Sequence, residues 1–439
     1  MGKIKISDTS IPLGVIDLVK SLPALSEVKT GDTITLEFSR DEFAYLTGLV
    51  LIAAWRKALP SGVSVHLDDS YCSAPTQRFL TNTGFREVIN TGHETPSALP
   101  RVGRVPLRPI TNQFAKEATV NDVVSIFDEY AGHVRDTNPF RVLISELCEN
   151  VLAHSEFISP GYVCARVLDK SMKAEIAIAD TGIGIAESYR RGTNSSAKER
   201  IAKGASPLEL AVDGLNSSKP VAGRGSTRSY YGFGLLIARR LIEENRGQLF
   251  LISGGESLHA DRFGKHLDKL SHPWNGTFIG LVIDLNNPLP LAEIYEQAAE
   301  LLAPFDGRVS KKQSAAYPPN TPSPGPKLPE SNSAEVAASG QEAQRFDLQN
   351  YGTELLTRDA GTAIRADIAS LLAAGYDVEV VLDGITDLTP SVADEAFAKL
   401  ADVMGHDAFK MRVRFTGGSV LAGRLVEFVL KTRRARGGG

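Results

Sequence analysis

Apolar residues recur at two spacings along this chain: every second position in some stretches, every third or fourth in others. The first spacing marks half-buried strands and the second amphipathic helices. Within residues 1–100, Thr33–Phe38 and Val63–Leu67 read as strands. Val15–Leu22, a segment capped by Asp41 and running to Ala58, and Pro75–Thr83 closed by Gly84 read as helices. The helix ending at Ala58 is apolar on most faces. Short loops between these elements predict a small α/β domain. Over 101–290, a basic, Pro-containing connection (101–116) leads into helices at Val120–Gly132 and Asn138–Ser155. Strands follow at Gly161–Leu168 and Lys173–Ala179, a helix at Leu235–Asn245, and strands at Gln248–Ser253 and Thr277–Leu285. That order predicts an α+β sandwich with helices over one face of a mixed sheet. Residues 306–345 hold six prolines and no periodicity, the composition of a flexible linker. Beyond it, strands at Phe346–Leu356, Val378–Leu382 and Met411–Phe415 alternate with helices at Ala360–Ala374, Ser391–Val403 and Ser419–Thr432. A second small α/β domain is predicted over 346–436.

The helix Asn138–Ser155 carries the first candidate chemistry. Glu146, Asn150 and His154 stand at i, i+4 and i+8, one polar stripe. Leu143, Ile144, Leu147 and Val151 form an apolar stripe beside it. An acid, an amide and an imidazole beside a core face suit a helix lying under a ligand and its metal ion. An ordinary exposed helix face carries the same residue types.

Composition narrows the classes. The chain has 439 residues, 42% hydrophobic and 23% charged, with net charge −4. These values describe a folded chain of several domains and give no global case for nucleic acid or an anionic membrane. No apolar run reaches the roughly 18 residues of a transmembrane helix, and the N-terminus lacks a signal-peptide pattern. Cys72, Cys148 and Cys164 share no metal-ligand spacing, so buried thiols in a reduced, cytoplasmic setting are expected.

Three further motifs lie in the middle region. Asp180-Thr-Gly182-Ile-Gly184 follows an apolar strand. A carboxylate there can accept from an exocyclic amine such as that of adenine, and glycines let the backbone approach a flat ring; a plain turn uses the same residues. Residues 186–231 are rich in Ser, Gly and basic residues, with a helical pattern at Lys198–Leu215. Between 186 and 230, eight Lys or Arg stand against four Asp or Glu, an excess able to face a polyphosphate or simply a solvated loop. Gly232-Phe-Gly234-Leu235 then opens a helix, whose N-terminal N–H groups attract phosphate. No strand precedes these glycines, which excludes a dinucleotide-binding fingerprint.

In that order and spacing, the helix with Glu146, Asn150 and His154, the Asp180 motif, the long polar segment, the Gly232 motif and Gly276-Thr277 resemble the GHKL ATP-binding superfamily over residues 107–287. The resemblance implies a Bergerat fold binding ATP and Mg²⁺. Asn150 would coordinate Mg²⁺, and Glu146 would act as general base. Asp180 would hold adenine, with Gly182 and Gly184 beneath the ring and Thr277 behind it. Residues 186–231 would be the lid. Gly232, Gly234 and Leu235 would bind phosphate at the helix start. His154 either reaches phosphate or is a satisfied helix histidine. Residues 101–140 are too short for the dimerisation unit of a sensor histidine kinase, and His133 lacks that unit's usual followers.

The stretch Val380–Phe397 (VVLDGITDLTPSVADEAF) is similar to the STAS-like domains found beside GHKL modules. A weaker likeness covers residues 30–92, with Ser70 and Ser73 at the equivalent turn. In anti-sigma kinase systems, a GHKL protein phosphorylates a Ser or Thr at that turn of a separate STAS partner. The resemblance therefore implies an α+β chain in which a GHKL domain is flanked by two STAS-like domains. Its function is expected to be an Mg-ATP-dependent regulatory ATPase or Ser/Thr kinase-like switch, or else a nucleotide-gated binding module with little turnover. Thr389 and Ser391 are the candidate phosphoacceptors, or only caps of the helix that follows. ATP, a protein partner bound through the STAS-like domains, and a second copy of the chain are the candidate partners.

Overall fold

The computed structural model describes residues 3–6, 13–38, 46–92, 100–101, 103–131, 138–154, 161–192, 195–213, 233–300 and 343–437. These residues form a mixed α and β structure with several separate sheets.

The N-terminal unit runs β1 (Lys3–Ile6), α1 (Leu13–Ser21), β2 (Thr33–Phe38), α2 (Leu46–Ala58), β3 (Ser64–Asp68), α3 (Ala74–Asn82) and α4 (Phe85–Thr91). Its three strands pair in parallel in the order β1-β2-β3. Ser73 caps α3 by accepting from the N–H of Thr76, and Gly84, at φ 75°, turns the chain into α4, an element the periodicity does not announce. The expected cap Asp41 lies outside the described residues.

The middle unit holds β4 (Arg104–Ile110), α5 (Gln113–Ala131), α6 (Asn138–His154), β5 (Gly161–Leu168), β6 (Lys173–Ala179), α7 (Gly184–Arg191), α8 (Ser195–Ala202), α9 (Pro207–Asp213), α10 (Phe233–Asn245), β7 (Gln248–Asp261), β8 (Gly264–Asp284) and α11 (Leu291–Glu300). Its sheet has the order β4-β5-β6-β8-β7, and every neighbouring pair is antiparallel. The expectation of a mixed sheet is thereby corrected. So is the reading of 101–116 as a connection, because β4 occupies much of it. Pro106 and Pro109 cannot donate ladder hydrogen bonds, but β4 is an edge strand with a register shift between Val105 and Arg108, where prolines are tolerated. The single helix expected at 198–215 is two. Gly204, at φ 95°, ends the first, and Pro207 opens the second. Strands β7 and β8 run well past the expected bounds as a long hairpin.

Both faces of this sheet are buried. Val163, Ala165, Ile176, Ile178, Leu249 and Leu251 point into a core with α5, α6 and α10. The alternate residues Tyr162, Cys164, Ala177, Ala179, Phe250 and Ile252 point the other way, into a core shared with α2. Period-two side-chain direction divides the strands in this way. It also explains α2, where every residue from Leu46 to Trp55 is buried. That helix lies between its own small sheet and the middle sheet, so it has no polar face to show. All three cysteines are free and buried, and burial pushes their thiols up, that of Cys148 to about 12.

The C-terminal unit comprises β9 (Gln344–Asp347), β10 (Glu354–Leu355), α12 (Arg358–Ala373), β11 (Val378–Val381), β12 (Asp387–Leu388), α13 (Pro390–Ala393), α14 (Lys399–Met404), α15 (His406–Arg412), β13 (Val413–Thr416) and α16 (Val420–Gly437). A parallel sheet, β13-β11-β9, lies beside the two-stranded β10-β12 ladder. A five-residue π turn, Asp394–Ala398, joins α13 to α14. The linker expected at 306–345 falls almost wholly outside the described residues. This unit packs on the middle one. Tyr295 of α11 meets Phe428 of α16, ring centroids 5.2 Å apart, and Arg424 pairs with Glu296 at 3.0 Å. Among the described residues no helix is long and apolar enough to cross a membrane.

Candidate functional site

Helix α6 is buried on nearly all sides, so its polar residues lie at an internal boundary. Leu143, Ile144, Leu147 and Val151 are core residues, as their stripe predicts. Glu146 is also buried, 8% exposed, and what buries it is the C-terminal unit. The Ser391 hydroxyl donates to Glu146 Oε1 at 2.8 Å, and the Ser391 backbone N–H approaches the same oxygen at 3.3 Å. Ser391 stands at the start of α13, where Thr389 is the cap and accepts from the N–H of Val392 at 3.3 Å. The two candidate acceptors therefore differ. Thr389 is a buried cap, whereas the Ser391 hydroxyl is aimed at Glu146.

Around this pair lies a charged cluster that spans both units. Lys116 of α5 is 1% exposed and donates to Glu149 at 2.9 Å. Gln113 adds hydrogen bonds to both oxygens of the same carboxylate. Arg358, at the first position of α12, approaches Glu149 at 3.5 Å, the Ser391 oxygen at 3.4 Å and Glu395 at 3.9 Å. Burial drives the Glu146 carboxyl above its ordinary range, opposed by the Ser391 hydrogen bond and the Arg358 charge. For Glu149, burial pushes up, but Lys116 and Arg358 outweigh it and hold the carboxyl below its ordinary range. The two acids on one helix thus differ in kind. Glu149 is a fixed anion, and Glu146 is a more basic carboxylate bonded to a hydroxyl.

The glycines bring the remaining motifs to α6. Gly234 at the start of α10 lies against it: a Cβ there would stand 3.1 Å from Asn150 Nδ2 and 3.4 Å from Glu146 Cβ. At Gly161, a Cβ would overlap Val151 and come within 3.5 Å of Asp180 Cβ. Asp180 closes β6, and its backbone N–H donates to the Thr277 carbonyl at 2.9 Å. Its carboxylate accepts from the Gly182 N–H at 2.7 Å. Burial pushes this carboxyl from 3.8 to about 7, with the Gly182 and Thr277 backbone bonds pulling the other way. Gly184 has φ 72° and packs on Ser253, whose hydroxyl donates to the Gly276 carbonyl and accepts from the Ile185 N–H. Gly276, at φ 107°, leaves no room for a side chain against the Asp180 carbonyl.

Glu146, Asn150 and Gly234 are therefore brought together. Asp180, bonded to Gly182 and Thr277, lies across Gly161 from Val151 of the same helix, and Ser391 joins Glu146 from the C-terminal unit. Leu235 is half-buried on α10. Gly232, residues 214–231 of the expected lid, and the side chain of His154 lie outside the described residues. Sequence reasoning missed Lys116, Glu149 and Arg358. The i, i+3 spacing of Glu146 and Glu149 on an apolar helix is the one signal that marks Glu149.

The donor set bears on a metal ion. Among the described residues, no group of three or more His, Cys, Asp or Glu is placed to hold one. The half-buried amide of Asn150 beside the α10 start fits Mg²⁺, which takes few protein ligands and keeps phosphate and water oxygens. Compared with known proteins, the chain matches no protein-family model and no curated protein.

Proposed function

We propose that this chain is an Mg-ATP-dependent regulatory kinase of the GHKL type, and that its acceptor is Ser391 of its own C-terminal unit. One observation carries the reading: the Ser391 hydroxyl donates to a buried, basic Glu146 carboxylate at 2.8 Å. A general base must reach the proton it takes, and this one does. Asp180 offers a buried carboxyl to the adenine amine, and the α10 start at Gly234 faces the same helix as Glu146. In the reaction, Ser391 Oγ attacks the γ-phosphorus of ATP. The bond from that phosphorus to the β,γ-bridging oxygen breaks, and its electron pair leaves on ADP. The hydroxyl proton passes to Glu146. Mg²⁺ held by Asn150 and phosphate oxygens would supply charge neutralisation. The described residues of the N-terminal unit pack on the far face of the sheet, opposite the face that carries α6.

The test is mass spectrometry of the full chain after incubation with Mg-ATP, beside Glu146→Gln and Asp180→Asn. Phosphate on Ser391 in the wild type and in neither variant is expected. ATP binding with Ser391 unmodified would sink the kinase reading and leave a nucleotide-gated docking module. One observation favours that second reading: docking itself leaves Ser391 only 7% exposed, so undocking would uncover a partner surface.

A further inference from the structure

We infer that Arg358, carried by the acceptor unit, is a catalytic cation for phosphoryl transfer to Ser391; this rests on the reading just given. A γ-phosphoryl group reaching Ser391 meets a carboxylate at 2.8 Å from the serine oxygen and a second, Glu149, close by. Two anions repel a third, so transfer needs positive charge beside the serine oxygen, where the phosphoryl oxygens arrive. Among the described residues, four cations stand in or beside this cluster, and two of them, Arg365 and Lys399, are paired with Glu395. Lys116 is spent on Glu149 at 2.9 Å and also approaches the Leu356 carbonyl. Arg358 touches the reacting atom itself, with one guanidinium nitrogen 3.4 Å from Ser391 Oγ. The serine oxygen thus gives its proton toward Glu146, receives an N–H from Arg358, and keeps one lone pair for attack.

The position of Arg358 supports the assignment independently. It occupies the first turn of α12, whose dipole disfavours a cation. Helix stability does not select arginine there. Neither does solvation, since the side chain is mostly buried between the two units. Its fork lies within hydrogen-bond range of Ser391 and within ion-pair range of two carboxylates, Glu149 from the nucleotide unit at 3.5 Å and Glu395 from its own at 3.9 Å. A guanidinium so placed can transfer its bonds to phosphoryl oxygens as they arrive, a geometry that a lysine ammonium does not reproduce. Docking of the C-terminal unit would therefore deliver acceptor and cation in one movement.

The experiment uses the full chain as wild type, Arg358→Ala, Arg358→Lys and Glu149→Gln. ATP affinity is measured by calorimetry, and the single-turnover rate of Ser391 phosphorylation by phosphopeptide mass spectrometry. Arg358→Ala is expected to slow transfer by about 100-fold or more, with ATP affinity unchanged. Guanidinium ion at a non-denaturing concentration should restore part of that rate, while sodium chloride at equal ionic strength should not. Glu149→Gln loses the ion pair between the units but keeps the cation, so it should stay much faster than Arg358→Ala. Transfer at the wild-type rate in Arg358→Ala overturns the inference and leaves the kinase reading standing. An Arg358→Ala defect that Glu149→Gln reproduces and guanidinium does not relieve also overturns it, because Arg358 would then only dock. No phosphate on Ser391 in the wild type removes both.

Discussion

Replacing Asp180 by Asn should raise stability in neutral and alkaline solution and leave it unchanged in acid. The carboxyl is buried at the end of β6, and burial lifts it from 3.8 to about 7. An acid whose folded value is raised holds a proton in the folded chain that the unfolded chain has lost. Stability then falls as pH rises from about 4 to about 7, and the cost persists above that. At about 1.4 kcal/mol per unit, the gap corresponds to roughly 4 kcal/mol, an upper bound because an asparagine amide must also find partners. Asp394, likewise lifted to about 7 by burial, is common to both proteins and cancels in the difference. The chain has two tryptophans, Trp55 and Trp274, and both lie in the core between α2 and the middle sheet. Urea unfolding followed by their fluorescence therefore reports on the unit that contains Asp180. We expect the variant to be about 2–4 kcal/mol more stable near pH 8 and equal to the wild type near pH 4. Under the proposed function the same variant should also fail to bind ATP, so stability and function would part at one side chain. A stability difference that does not change with pH would refute the reasoning, because Asp180 would then titrate alike in both states.

Two other outcomes are expected. Lys116→Met strands the buried Glu149 with Arg358 as its remaining charge partner and should cost about 3–5 kcal/mol in chemical denaturation; adding Glu149→Leu should recover much of that. Ser391→Asp sets a carboxylate against Glu146 and should release the C-terminal unit, read as a larger radius of gyration by small-angle scattering, whereas Ser391→Ala should leave the unit docked.

Much of the architecture was legible because periodicity reports burial. The β6 segment Lys173–Ala179 and the apolar stripe of α6 are examples. Glycines and polar residues marked the Asp180 and Gly234 segments that pack toward α6. What escaped had physical reasons. Strand β4 hides behind two prolines that only an edge position tolerates. The distal half of the β7–β8 hairpin is mostly exposed along residues 264–273, where Leu267 and Leu270 stand alone among polar residues and give no alternation to read. The short helices α4 and α15 start at Gly84 and Gly405, where left-handed backbone permits a turn that local propensity does not encode. Arg358 was invisible because its meaning depends on Glu149, more than two hundred residues away in the chain. Ser391 was separable from Thr389 only once the cap was seen to use the threonine hydroxyl.

The burial of α2 between two sheets has a consequence for how the chain is made. Its last residue leaves the ribosome about 120 residues before β6 is complete at Ala179. At about 5–20 residues per second, that interval is on the order of 10 s. Throughout it, the surface of α2 meant for β5 and β6 has nothing to lie against. Nascent chains of this protein should therefore engage chaperones early, and residues 101–290 expressed alone would strand the sheet's Tyr162–Phe250 face in the same way.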